Sequence, residues 1–191
     1  MDFSNSNSGG GNGGGGGSNN SSITGDWNFV GMSAHTYSSV TVVEGGDQLK
    51  SVTVSDYNTK NNSGTVKITS TQFISTNLAY SIDTIMNVKT YLNGSLFDDT
   101  DLPYVFSAPA SSSTSNYTKI NSDSITIVGA FGAPSGPSGS IPTGPVGVKI
   151  SWAGDTLLLK VASSFTQTIT QGGVPATLIG SVTGITKLKR K

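Results

Sequence analysis

The sequence predicts an all-β protein, an antiparallel up-and-down meander of roughly eight to ten strands, and three observations carry that expectation. From Trp27 onward, apolar and polar residues alternate with a period of two in short runs. Turn-forming residues, among them Gly45-Gly46, Asn93-Gly94 and Gly172-Gly173, punctuate those runs. Helical periodicity never extends over about eleven positions, the length that would argue for a helix.

The first strand starts at Trp27 and Phe29 and runs through Tyr37 to Val43, with Gly31 as a bend or bulge. Glu44-Gly45-Gly46-Asp47 turns the chain into a second strand, Leu49 to Asp56, in which Val52 and Val54 face the same way. Asn58 to Gly64 reads as a polar turn. Thr65 to Ser70 then sets Val66 and Ile68 against Thr65, Lys67 and Thr69, the pattern of a half-buried antiparallel strand. Gln72 to Ser75 reads as a short strand and Leu78 to Leu92 as a longer one, with a phase change between Ile82 and Ile85 that suggests a bulge or break.

Asn93-Gly94 is the strongest hairpin dipeptide of the chain, because both residues tolerate the positive φ of a type I′ turn. Asp98-Asp99-Thr100-Asp101 reads as an acidic turn. Leu102 to Ser107 and Tyr117 to Ile120 flank a small-residue loop over 108–115, and Asn121 to Ser124 turns into Ile125 and Ile127. The Gly/Pro/Ser-rich stretch 129–147 is too long for a simple hairpin connection. Val148, Ile150 and Trp152 form the next strand and Leu157, Leu159 and Val161 its return across Ala153-Gly154-Asp155. Phe165 to Thr170 and Leu178 to Lys189 complete the meander.

Composition narrows the function. Lys plus Arg and Asp plus Glu balance at 11 each, so the electrostatic pull of a nucleic-acid binder is missing and no nucleic-acid partner is expected. Charged residues are only 12%, leaving Ser, Thr and Asn to wet the surface. With no Cys, disulfides and thiolate metal sites are unavailable, and no cofactor is expected. Residues 4 to 22 contain only Ser, Asn and Gly and cannot bury a core. They divide the chain into a flexible tether, 1–22, spanning roughly 25 Å as a random coil, and a folded domain, 23–191. Met1-Asp2-Phe3 is no signal peptide, and the expectation is that a signal peptide and lipid-anchored residue were replaced by Met1, or that the leader is a linker of no special use.

Ile23-Thr24-Gly25-Asp26-Trp27-Asn28-Phe29-Val30 resembles the Gly-x-Trp first strand of lipocalin-like domains. Residues 117–127 and 150–159 are similar to the strand-turn-strand units of small lipocalin-like domains in envelope lipoproteins of Bacteroidetes-type bacteria, and 185–190 to their terminal strand. The resemblance covers about residues 23 to 190. It implies a closed antiparallel barrel, exported and held at the bacterial envelope by its N-terminus, whose interior can hold one small hydrophobic ligand, the domain either binding that ligand or acting as an interaction module. It also implies that Trp27 plugs one end beneath a cation of the terminal strand. Arg190, on the same strand face as Leu188, is the candidate.

Within that frame Trp27, Tyr80, Phe106 and Trp152 are candidates for lining a ligand cavity, or are ordinary core residues. Phe131 and Ile141, apolar residues in the Gly/Pro loop, are candidates for covering its mouth or meeting a partner. Two further readings stay open: a carbohydrate-binding β-sandwich that uses aromatics on an outer face, such as Tyr57, Tyr91 and Tyr104, and a filled structural barrel without ligand. His35, the only histidine, has no nucleophile motif beside it, so a non-enzymatic protein is expected. Asp98 to Asp101 offers oxygen ligands suited to Ca²⁺ but lacks the glycine and downstream Glu of an EF-hand loop, so no metal site is expected.

Overall fold

The computed structural model describes residues 22–128 and 144–191. They form nine strands: β1 (Gly25–Glu44), β2 (Asp47–Asn58), β3 (Lys60–Ile68), β4 (Gln72–Leu92), β5 (Ser95–Lys119), β6 (Ser124–Val128), β7 (Pro145–Ala153), β8 (Thr156–Gln171) and β9 (Val174–Arg190). All belong to one up-and-down antiparallel sheet, and β9 pairs with β1 from Trp27↔Arg190 to Val42↔Ala176, which closes the sheet into a ring. The expected all-β meander is thus what the chain forms.

β2 and β3 share one lane of the sheet. Gly25–Asn28 of β1 pair with β3, and Ser33–Glu44 pair with β2. At the changeover β1 carries a register shift between Phe29 and Gly31, the bulge expected at Gly31. Thr59 locks the junction: its N–H donates to the Met32 carbonyl (2.9 Å), and its Oγ1 accepts from the Met32 N–H (2.8 Å). Gly31 has φ 145°, and a Cβ there would lie 2.7 Å from Asn62 Nδ2, so this crossing requires glycine.

The long strands divide the molecule into two halves. In the lower half the ring is complete, and Trp27, Phe29, Ile68, Phe73, Ile125, Ile127, Leu157, Leu159 and Leu188 fill it with buried side chains, each contributing about 1.5–3 kcal/mol by leaving water. Toward the other end the short strands stop: β7 pairs with β8 only through Val161, and β6 pairs with β5 only from Asn116. Beyond that level β8, β9, β1, β2, β4 and β5 continue as an open sheet whose edges, among the described residues, are β8 and β5. Its far end carries hairpins Gly45-Gly46, Asn93-Gly94 and Gly172-Gly173, each with positive φ at both central residues.

Several expectations are corrected. Asn58 to Gly64 is not a turn, because β3 begins at Lys60 and the break is confined to Thr59. The two strands expected over 72–92 are one strand with register shifts between Ser75 and Tyr80. No break separates Ile82 from Ile85. They point to opposite faces of continuous pairing, at 0% and 62% exposed. Asp98–Asp101 and the small-residue stretch 108–115 are not loops but parts of β5, held by the backbone ladder to β4. Of the loop expected over 129–147, Pro145–Gly147 open β7, and 129–143 lie outside the described residues, as does nearly all of the tether.

Candidate functional site

The closed end is built around Trp27. Its side chain is wholly buried, its Nε1–H donates to the Ile23 carbonyl (2.9 Å), and its ring meets Trp152 at 5.7 Å between centroids. Arg190, directly opposite Trp27 in the β1–β9 ladder, places its guanidinium carbon 4.9 Å from the ring centroid, while its Nη2 donates to the Ser22 carbonyl (2.8 Å). This is a cation–π pair at the rim, formed by an exposed Arg190 over a buried ring. Trp27 has no free surface for a ligand, and Trp152 packs on the same core. Both tryptophans belong to the plugged end.

Tyr80 and Phe106 lie elsewhere. Tyr80 meets Phe106 at 6.2 Å and Phe29 at 6.4 Å, so it joins the lower core to a second cluster of Ala34, Tyr57, Ile82, Tyr104 and Phe106. Phe131 and Ile141 lie outside the described residues. Tyr57 and Tyr104, read from the sequence as outer-face aromatics, belong to this inner cluster, and Tyr57 is only 5% exposed. Val52 and Val54, in turn, lie on the face opposite Tyr57. The inward positions near them are the hydroxyls Thr36, Ser38 and Ser55, all buried.

A cavity of about 830 Å³ lies where the closed half gives way to the open one. Its wall follows a single cross-strand row: Ile125 pairs with Val148, Val148 with Val161, Val161 with Gly184, Gly184 with Ala34, and Ala34 with Tyr57. Every inward member of the row is uncharged, while His35, Asp56, Lys149 and Lys160, each next to a row member in its strand, also border the cavity. Gly184 and Ala34, with almost no side-chain volume, are neighbours in this row, which leaves room at this level while larger residues fill the barrel below. Local sequence gives no sign of this row, since its members are brought together only by the ladder register over six strands.

Burial pushes the Tyr57 phenol well above the ordinary tyrosine value, with Tyr80 and Tyr104 adding to the rise. Tyr104 is raised by its own burial and by Tyr80, and Tyr117 by burial. A buried phenolate would lose its hydration, so the neutral form is held. The acidic stretch of β5 is engaged otherwise: Asn87 Nδ2 donates to Asp99 (2.7 Å) and Asp101 (3.0 Å), and Lys89 pairs with Asp99 (3.1 Å). Those hydrogen bonds, that of Asn87 first, hold the Asp99 carboxyl below its usual range. His35 Nδ1 lies 2.9 Å from Asp56 Oδ1 on the outer face, with both side chains exposed. Comparison with known protein families, curated proteins and solved structures found no match to this chain.

Proposed function

We propose that this chain is a non-enzymatic, lipocalin-like domain that holds one small apolar molecule at the junction of its closed and open halves. The observation that carries the reading is the cavity of about 830 Å³ walled by the uncharged row from Ile125 to Tyr57. Its volume falls in the range of small-molecule sites, which are mostly apolar and concave. The cluster of Tyr57, Tyr80, Tyr104 and Phe106 supports the reading by adding aromatic surface on the β2–β4–β5 side. The Ser/Asn/Gly composition of residues 4 to 22 supports a domain held by its N-terminus at a bacterial envelope surface.

Titration with a fluorescent long-chain fatty acid tests the binding. The unaltered protein is expected to saturate at one site. Ala34→Leu, which fills the space left open beside Gly184, is expected to weaken binding by about tenfold or more, because the ligand would lose the volume it occupies, with the near-ultraviolet circular dichroism retained. Equal affinity in the variant, or no saturable binding by the unaltered protein, overturns the reading.

A further inference from the structure

The two edges of the open half are chemically unlike. An unpaired strand edge is a template for another chain, and proteins blunt such edges with charge, proline or bulges. The β5 edge, free of a neighbour from Ser95 to Ser115 among the described residues, is blunted in this way by Asp98, Asp99, Asp101, Pro103 and Pro109. The β8 edge is not. From Ala162 to Gln171 it pairs with β9 on one side and, among the described residues, with nothing on the other. Those ten positions, Ala-Ser-Ser-Phe-Thr-Gln-Thr-Ile-Thr-Gln, hold no charge, no proline and no glycine.

We infer that the β8 edge is a homodimer interface, pairing antiparallel with the β8 edge of a second copy about a two-fold axis at Gln167. A two-fold perpendicular to the sheet sets each residue opposite one on the same sheet face, so the axis must pass beside a residue rather than between two. Leu157, Leu159 and Val161 point inward, which puts Phe165, Gln167 and Ile169 on the inner face and Ser164, Thr166, Thr168 and Thr170 on the outer. Centred on Gln167, the pairing sets Phe165 opposite Ile169 of the second copy and Ile169 opposite its Phe165. These are two aromatic–β-branched pairs, a favourable cross-strand combination. On the outer face Thr166 meets Thr168 and Ser164 meets Thr170, while Gln167 meets its own equivalent. The strand is therefore complementary to itself on both faces. Isologous contact requires that, and a segment without charge brings no like charges together. Pairing with the β5 edge would instead meet two prolines, which cannot donate, and three carboxylates for which β8 from Ala162 to Gln171 offers no cation.

The full chain, which has no native cysteine to interfere, offers a direct test. Gln167→Cys places two thiols opposite each other across the axis, at a Cα separation of about 4.5–5.5 Å that a disulfide spans. It is expected to cross-link to a covalent dimer under mild oxidation. Ser163→Cys, which would face Gln171 of the other copy, is expected not to. Sedimentation equilibrium is expected to show a dimer for the unaltered chain, and Gln167→Lys, opposing two like charges at the axis, should raise the dissociation constant by about tenfold or more, with dimers restored on mixing Gln167→Lys with Gln167→Glu. A monomer at all concentrations, as when residues 129–143 of the same chain or an unrelated partner occupies the edge, overturns the inference. Equal cross-linking of the two cysteine variants, or a dimer indifferent to Gln167→Lys, places any self-association elsewhere and overturns it too.

Discussion

Gly64 illustrates how single residues set the ladder of this barrel. It has φ 103°, and a Cβ added there would lie 2.5 Å from the Asn77 carbonyl oxygen and 2.7 Å from Leu78 Cα, both backbone atoms that cannot swing aside. The β3–β4 register shifts beside it, between Ser63 and Thr65, and Asn77 itself has φ 51°. Gly64→Ala therefore meets unfavourable backbone geometry and a close contact together, and it is expected to destabilise by about 1–3 kcal/mol in urea unfolding. Gly45→Ala, with φ 61° but open space around its Cβ, should cost less. Ser55 presents the opposite case. It is buried, and its Oγ has no partner among the described residues. Since an unmatched buried hydroxyl costs stability, Ser55→Ala is expected to range from neutral to about 1 kcal/mol more stable. A loss of more than that in the same measurement would mean the hydroxyl is answered in solution.

At the scale of the strands, the sequence marks what is local. Gly45-Gly46, Asn93-Gly94 and Gly172-Gly173 end strands because they accept positive φ, and the sequence placed all three. The Gly31 bulge was legible for the same reason, whereas the meeting of Trp27 with a terminal-strand cation is what the resemblance to lipocalin-like strands implies, and strand phase picks out only Arg190 as that cation. β5 was not legible over 108–115, because positions 109–114 are exposed on both faces and so show no alternation, and only the backbone pairing with β4 keeps them extended. In β2, Val52 and Val54 do share one face, but residue type does not reveal that it is the outer one, where they lie half-buried beside Ser39 and Tyr37 while Ser55 and Thr36 point inward. Residue type alone marks Tyr80 and Phe106 as candidates, but it does not separate an inner Tyr57 or Tyr104 from the outer-face aromatics of a carbohydrate-binding sandwich; only the strand pairing gathers them in one cluster. The cavity row from Ile125 to Tyr57 is a property of register, and register over six strands is decided by which pairings satisfy the backbone and bury the core together.

For the molecule as a whole, the inward tyrosines govern its response to alkali. Tyr57, Tyr104 and Tyr117 are all raised above the ordinary value of 10.0, in each case first by burial. A raised folded-state pKa means that, at high pH, the unfolded chain releases phenol protons which the folded chain keeps. The stabilisation is therefore fully present below about pH 10, where both states are protonated, and is lost as pH rises beyond that value toward the folded-state values. Melting temperatures are expected to be flat with respect to these groups up to about pH 9 and to fall progressively above pH 10. Tyr57→Phe keeps the ring among Ala34, Ile82 and Tyr80 and removes the proton, so its alkaline decline should be shallower by about one proton released per unfolding event. Thermal melts of both proteins across that range check this. An equally steep decline in the variant would show that Tyr57 reaches water in the folded state, through the cavity that its ring helps to wall.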